Sequence, residues 1–336
     1  MRPLIAASML APWLLLCPLS GCTPAAEAPP TSMSASVRVV APSQDRITRP
    51  LPLFDPYKID LAVAQLGKDL FEDPRLSSNN TVSCATCHEM TGYGTQALAN
   101  SPGVQGVGPR NSPTVFNASL NPMQFWDGRA LTLEQQLDGP IHNPLEMDSS
   151  WPQVIDKLQQ DPVLSERFNT LLNQPISEQS IKYAISYFEQ QLLTPDAPFD
   201  QHLRGDHALT SDAKAGWQRF VSLGCAQCHQ GINLGGNIMQ TFGLTHRHSD
   251  NLSDMGLREL TGDERDTLVF RVPSLRNVAM TAPYFHDGSV NRLRDAVEIM
   301  AMSQLGKSLS EQELDELVAF LSSLTAPPPP ILALLQ

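Results

Sequence analysis

Cys84-Ala85-Thr86-Cys87-His88 and Cys225-Ala226-Gln227-Cys228-His229, whose first cysteines lie 141 positions apart (225 − 84), decide how this chain is read. Two cysteines one helical turn apart can each form a thioether to a haem vinyl group. The histidine that follows is then placed to reach the iron from one side. A lone C-x-x-C also suits a redox dithiol or half of a zinc site. The adjoining histidine and the second copy favour two covalent c-type haems, with His88 and His229 as the proximal iron ligands.

The chain has 336 residues, enough for about two domains with separate cores. Its six cysteines are Cys17, Cys22 and the two haem pairs, which leaves none for a structural disulfide. Arg2 followed by an apolar run from Leu4 to Leu16 reads as an export signal, too short for a comfortable membrane span. Leu19-Ser20-Gly21-Cys22 resembles a bacterial lipoprotein cleavage box, so residues 1–21 are expected to be removed and Cys22 to carry lipid. An ordinary secretory signal is the alternative. Both place the protein on the periplasmic side, tethered to a membrane (the outer one favoured) or soluble there. Loss of residues 1–21 removes Arg2 and no acid, so the formal charge moves from −12 to −13. Such a surface argues against nucleic acid and for a basic redox partner.

Along the chain, residues 22–56 are rich in Pro, Ala and Ser and read as a tether. Helical patterning starts near Lys58 and stops at Asp73-Pro74. Further helices are expected at about 151–172, 177–193 and 211–222. Thr194-Pro195-Asp196-Ala197-Pro198 reads as an interdomain break. A last helix starts at Ser310, where Glu313 completes a capping box, and a Pro-rich tail occupies 327–336. Strand signals are sparse, so the expected fold class is mainly α.

An internal repeat runs through this pattern at an offset of 160: Pro113 matches Pro273, Asn117 matches Asn277 and Phe125 matches Phe285. Trp126-Asp127-Gly128 likewise matches His286-Asp287-Gly288. The expectation is two cytochrome-c-like haem domains related by internal duplication, 57–196 and 197–326, packed face to face. Met300 is the candidate sixth ligand of the second iron, with Met302, Met239 and Met255 as competitors. The same offset carries Met300 onto Pro140, which has no iron donor, so the first haem is expected to be open. Gln136 and Glu146 flank Pro140, and a carboxylate there can take a proton from peroxide and return it to the leaving oxygen. Trp126 is a candidate electron bridge between the haems, or a core aromatic.

From about Leu66 to Leu324 the chain resembles the bacterial di-haem cytochrome c peroxidases, within the cytochrome c peroxidase and MauG superfamily. The resemblance is carried by Gly108-Pro109-Arg110-Asn111-Ser112-Pro113-Thr114, Gln124-Phe125-Trp126-Asp127-Gly128-Arg129-Ala130, Thr194 to Asp200, Gly231 to Asn237 and Thr281 to Gly288. It implies reduction of hydrogen peroxide to water with electrons from a small redox protein, a cytochrome c or a cupredoxin. Electrons would enter at the Met300-ligated C-terminal haem and reach the N-terminal, peroxidatic haem past Trp126, with Glu146 and Gln136 as the catalytic pair. It also implies a calcium ion between the haems, held by Asn111, Thr281 and Pro283, and leaves a homodimer open. Many relatives carry a blocking histidine after the first haem. Here that position is Gly103, and Thr91–Pro109 contains no His, Met or Lys, which puts the usual reductive activation in question. His142 and Tyr93 are the nearest alternative donors in sequence. Two other functions compete: a MauG-like enzyme oxidising residues of a partner protein, in which a Tyr stands where this chain has Met300, and a non-catalytic two-haem electron carrier.

Overall fold

Asp60 accepts the backbone N–H groups of Ala62 and Val63, and this cap opens the first long helix of the computed structural model, which describes residues 47–248 and 253–336. In chain order the helices are α1 Leu61–Phe71, α2 Cys84–Cys87, α3 Leu133–Gln136, α4 Asp138–His142, α5 Trp151–Gln159, α6 Pro162–Leu172, α7 Glu178–Gln190, α8 Pro198–Arg204, α9 Ser211–Leu223, α10 Arg258–Thr261, α11 Leu293–Leu305 and α12 Glu311–Ser322. Two three-residue strands, β1 Met239–Thr241 and β2 Val269–Arg271, pair antiparallel with Gln240 opposite Phe270. The fold is mainly helical. The expected capping box is present at Ser310, which accepts from the Glu313 backbone while the Glu313 carboxylate accepts from the Ser310 backbone. The helix expected at 151–172 is two helices. Asp161 caps the second and Pro162 occupies its first turn, where a missing N–H costs nothing but the preceding helix cannot continue.

The two larger hydrophobic cores each meet one haem motif: Cys84 belongs to the first, and Cys225 and Ala226 pack against the second. Leu66, Leu70, Phe71, Phe168, Ile181, Ile185 and Phe188 of α1, α6 and α7 belong to the first. Phe199, Trp217, Phe220, Leu317, Phe320 and Leu321 of α8, α9 and α12 belong to the second, where the rings of Phe199 and Trp217 lie 5.0 Å apart. Each fully buried Leu or Phe contributes about 1.5–3 kcal/mol relative to exposure. One glycine in each core sets the helix spacing. A Cβ on Gly67 of α1 would lie 2.0 Å from the Ala184 carbonyl oxygen of α7, and one on Gly216 of α9 would lie 1.9 Å from that of Glu316 on α12. A helical glycine costs about 0.5–1 kcal/mol relative to alanine; here it permits a backbone approach that no side chain allows.

The segments matched by the repeat fold alike. Asn117 and Asn277 are both left-handed, at φ 62° and 61°, and each precedes a single 3-10 turn, Ala118–Leu120 and Val278–Met280. Phe125 and Phe285 are left-handed as well, and the bridge Gln124–Ala130 is matched by Tyr284–Val290.

One expectation needs correction, and two others gain detail. The described end of the tether, 47–56, does not hang free. Ile47 and Leu51 are buried, Gly231 donates to the Ile47 carbonyl, and Leu51 N–H donates to Asp200. The Pro-rich tail is also docked: Ile331 is fully buried in the first core, and Gln65 and Gln336 bond to each other. The break at Thr194–Pro198 is anchored at its buried first residue, because the Thr194 hydroxyl accepts from both Asn117 Nδ2 (2.7 Å) and Asn277 Nδ2 (2.9 Å). In each case local proline content marks an irregular backbone, and a few residues of that backbone are anchored while others, such as Leu53, Asp196 and Leu334, stay exposed. Residues 1–21 and Cys22 lie outside the described residues. Among the described residues no helix is long and apolar enough to cross a membrane.

Candidate active site

Ser83 starts the first haem motif: its backbone N–H donates to Thr86 Oγ1, closing the one-turn helix that sets Cys84 and Cys87 on neighbouring positions. The four motif cysteines form no disulfide, so all four thiols are available for thioether bonds. His88 donates from Nδ1 to the Gly94 carbonyl at 3.2 Å, which fixes the tautomer and leaves Nε2 for a metal. Burial lowers its pKa, favouring the neutral imidazole that ligation requires.

His88, Cys84 and Cys87 line a cavity of about 480 Å³ together with Gln136, Pro140, Asn143 and Glu146. The short helices α3 and α4 bring Gln136 and Pro140 to its wall, and the turn after α4 brings Glu146. That turn is closed by the Glu146 N–H donating to the Asn143 carbonyl, and Asn143 Nδ2 donates to Glu146 Oε1 at 2.7 Å. Burial raises the Glu146 pKa, an effect that the Asn143 hydrogen bond and the Arg129 charge offset in part. The loop of Gly103 lies against this turn, with Val104 N–H donating to the Glu146 carbonyl at 2.8 Å. A Cβ on Gly103 would sit 1.9 Å from the Leu145 carbonyl oxygen, so no larger residue fits without moving that backbone. His142 is exposed and does not line the cavity. Tyr93 is also outside its wall, and its hydroxyl donates to the Ala326 carbonyl.

Cys225, Cys228 and His229 line a second, mainly apolar cavity of about 240 Å³. Burial pushes His229 down to about 4. Its Nδ1 completes no hydrogen bond, although the carbonyls of Leu234 and Pro273 partly offset that burial. Among the described methionines only Met300, on α11, lines this cavity. Met302 is partly exposed, and Met239 and Met255 lie outside the wall. Two cysteine thiols, a neutral imidazole and a thioether suit a c-type haem iron, and the thiols, imidazole and carboxylate of the first cavity suit one with an open side.

Trp126 is buried and lines both cavities. Its indole N–H donates to the Asn111 carbonyl at 2.9 Å. Asn111 uses Nδ2 to donate to the carbonyls of Leu98 and Ala99, which leaves Oδ1 as the side chain's acceptor. Asn111, Thr281 and Pro283 share the wall of the second cavity, and their amide and carbonyl oxygens are the donor type a hard cation takes. Among the described residues no cluster of three or more His, Cys, Asp or Glu side chains is arranged to hold a metal.

Two wall residues escaped the sequence reading. Glu189 of α7 is buried, burial pushes its carboxyl up to about 8, and its Oε2 has no partner. Its signal was present: four residues after Ile185, it interrupts the apolar face of α7. Arg271 lines both cavities and is also buried, but nothing in the sequence shows that its charge lacks a partner.

The family model for di-haem cytochrome c peroxidase matches residues 62–208. Over 271 residues the chain is 48% identical to the cytochrome c peroxidase Ccp of Escherichia coli strain K12, covering 79% of this chain and 58% of the relative's length. It is 45% identical to the cytochrome c551 peroxidase of Pseudomonas aeruginosa over 277 residues, 79% of each chain. Among solved structures, a MauG-like protein associated with microbial copper homeostasis is 29% identical with a TM-score of 0.73, over 84% of this chain and 94% of that one.

Proposed function

Since this chain belongs to the di-haem cytochrome c peroxidase family, we propose that it reduces hydrogen peroxide to two waters, taking two electrons from a small redox protein and two protons from solvent. The observation that carries the reading is the asymmetry of the cavities: Gln136, Pro140 and Glu146 line the one that holds His88, and Met300 lines the one that holds His229.

Bound c-type haem supplies the one-electron chemistry. With Cys225, Cys228 and His229, Met300 would hold the electron-receiving haem, and its thioether would raise that haem's reduction potential. Cys84, Cys87 and His88 would hold the other haem, and Pro140, which has no side-chain donor, would leave room there for substrate. Glu146 accepts the proton of one peroxide oxygen and returns it to the oxygen that leaves as water. With Oε1 held by Asn143, Oε2 is the atom that carries this proton. Gln136 would orient the peroxide, and Trp126, which lines both cavities, would serve as the bridge for electrons between the haems held there. Asn111, Thr281 and Pro283 would hold a calcium ion, which would steady the residue whose carbonyl accepts from Trp126.

The matched geometry at an offset of 160 supports a duplicated cytochrome-c-like unit, with haem domains at 57–196 and 197–326 that each borrow the far end of the chain. The formal charge of −12 favours a basic cytochrome or cupredoxin as donor. Lipid at Cys22 and a periplasmic-side location complete the reading. A MauG-like oxidation of a partner protein is disfavoured by Met300 on the second cavity wall. The deciding experiment follows peroxide consumption by the two-haem protein with pre-reduced cytochrome c. Two donors oxidised per peroxide support the reading, and peroxide consumed without donor oxidation sinks it.

A further inference from the structure

Arg271 is 4% exposed, yet among the described residues no carboxylate pairs with it. The other fully buried arginine is different: Arg276 is bonded to Asp200 at 2.7 Å. Arg271 is anchored by two bonds to the loop that carries Trp126. Its backbone N–H donates to the Trp126 carbonyl at 2.7 Å, and its Nε donates to the Phe125 carbonyl at 3.0 Å. Its Nη1 is buried and has no partner. The acid next to Trp126 in sequence is already committed, because Asp127 Oδ2 accepts from both Arg110 and Arg129.

An isolated guanidinium away from water is costly, and a compensating anion removes most of that cost. Burial pushes the Arg271 pKa down to about 10, which still leaves it protonated at neutral pH. The unpartnered donor belongs to a side chain that lines both cavities. Each c-type haem brings two propionate carboxylates, and a planar fork of N–H groups matches a carboxylate.

We propose that Arg271 is the counter-ion of a haem propionate at the boundary of the two cavities, and that its charge sets how readily the adjoining iron is reduced. This rests on the two-haem reading above. A fixed positive charge favours the reduced iron, because reduction adds an electron to the group it faces. Because Arg271 also holds the carbonyls of Phe125 and Trp126, the propionate it binds is coupled to the loop of the indole between the cavities.

The test uses the full protein with both haems attached, as wild type, Arg271→Gln and Arg271→Lys. Haem is counted by pyridine haemochrome, propionate bending bands are read by resonance Raman, and both potentials by redox titration at two chloride concentrations. Arg271→Gln is expected to move a propionate band and lower the reduction equilibrium constant of at least one haem about tenfold, which is 59 mV for one electron. Arg271→Lys is expected to move the band while keeping the potentials within about threefold of wild type. Unmoved bands in both variants overturn the proposal. So does a potential that follows chloride with the bands unmoved, since a free anion then occupies the site. If Arg271→Gln does not accumulate, the Raman bands of Arg271→Lys decide alone. Fewer than two haems in the wild type would instead refute the two-haem reading, whereas two haems with unmoved bands refute only the role of Arg271.

Discussion

Asn143 donates to Glu146 Oε1 at 2.7 Å from a position three residues earlier in the same turn, so one carboxylate oxygen is held while burial raises the affinity of the group for a proton. A general acid–base group typically contributes ~10²–10⁴-fold. Glu146→Gln is therefore expected to lower kcat on that scale with haem content unchanged. A loss below about threefold would remove Glu146 from the mechanism. The base must be ionised, and its pKa is raised, so activity should fall with decreasing pH at a midpoint above the ordinary glutamate value of about 4.3. Asn143→Ala removes a contact that lowers this pKa, so the acid limb should move to still higher pH in a kcat/KM profile.

Met300 on the wall of the second cavity leads to a spectroscopic prediction. Met300→Leu should abolish the sulfur-to-iron charge-transfer absorption and lower the potential of the His229 haem. An unchanged absorption spectrum would show that another donor, or none, serves that iron.

Gly103 bears on activation. Its loop is bonded to the Glu146 turn, and neither His142 nor Tyr93 lines the first cavity. The fully oxidised protein is expected to contain one high-spin haem and to react with peroxide before any electron is added. Low-temperature electron paramagnetic resonance checks this. Two low-spin signals, with peroxide inert until one-electron reduction, would show that a donor reaches the iron after a loop movement.

Asp200 is fully buried, accepts from Arg276 Nη1 at 2.7 Å and also holds the Leu51 N–H at 3.0 Å. Removing one partner of a buried pair strands the other charge, which typically costs about 3–5 kcal/mol. Asp200→Ala should lower the unfolding free energy in a denaturant titration by that order, while Asp196→Ala, which removes an exposed pair with Arg204, should change it by less than about 1 kcal/mol.

Much of this arrangement is legible in the sequence because the haem motif is rigidly local: Cys84, Cys87 and His88 fix chemistry within five residues. The repeat then extends it, since an offset of 160 carries Met300 onto Pro140, and the two residues line different cavities. What stays hidden is pairing at long range. Asp200 and Arg276 look like two ordinary surface charges until the fold brings them together, and Arg271 looks like one until the fold leaves it alone. The docking of residues 47–51 and 331–335 is hidden for the same reason, because a few apolar residues among prolines carry no periodicity.

Those docked ends have a consequence for electron transfer. The segment at residue 47 belongs to the second core and the segment at residue 331 to the first, so each extremity of the described chain reaches past the half beside it in sequence. Besides the direct bonds between the halves, such as those of Arg271 to the Phe125 and Trp126 carbonyls, the two are thus strapped through Thr194 and by each end. A hinge at the joint alone would let the irons drift apart as the molecule breathes. Crossed straps oppose that freedom, so the spacing of the two cavities is expected to vary less than a single joint would allow.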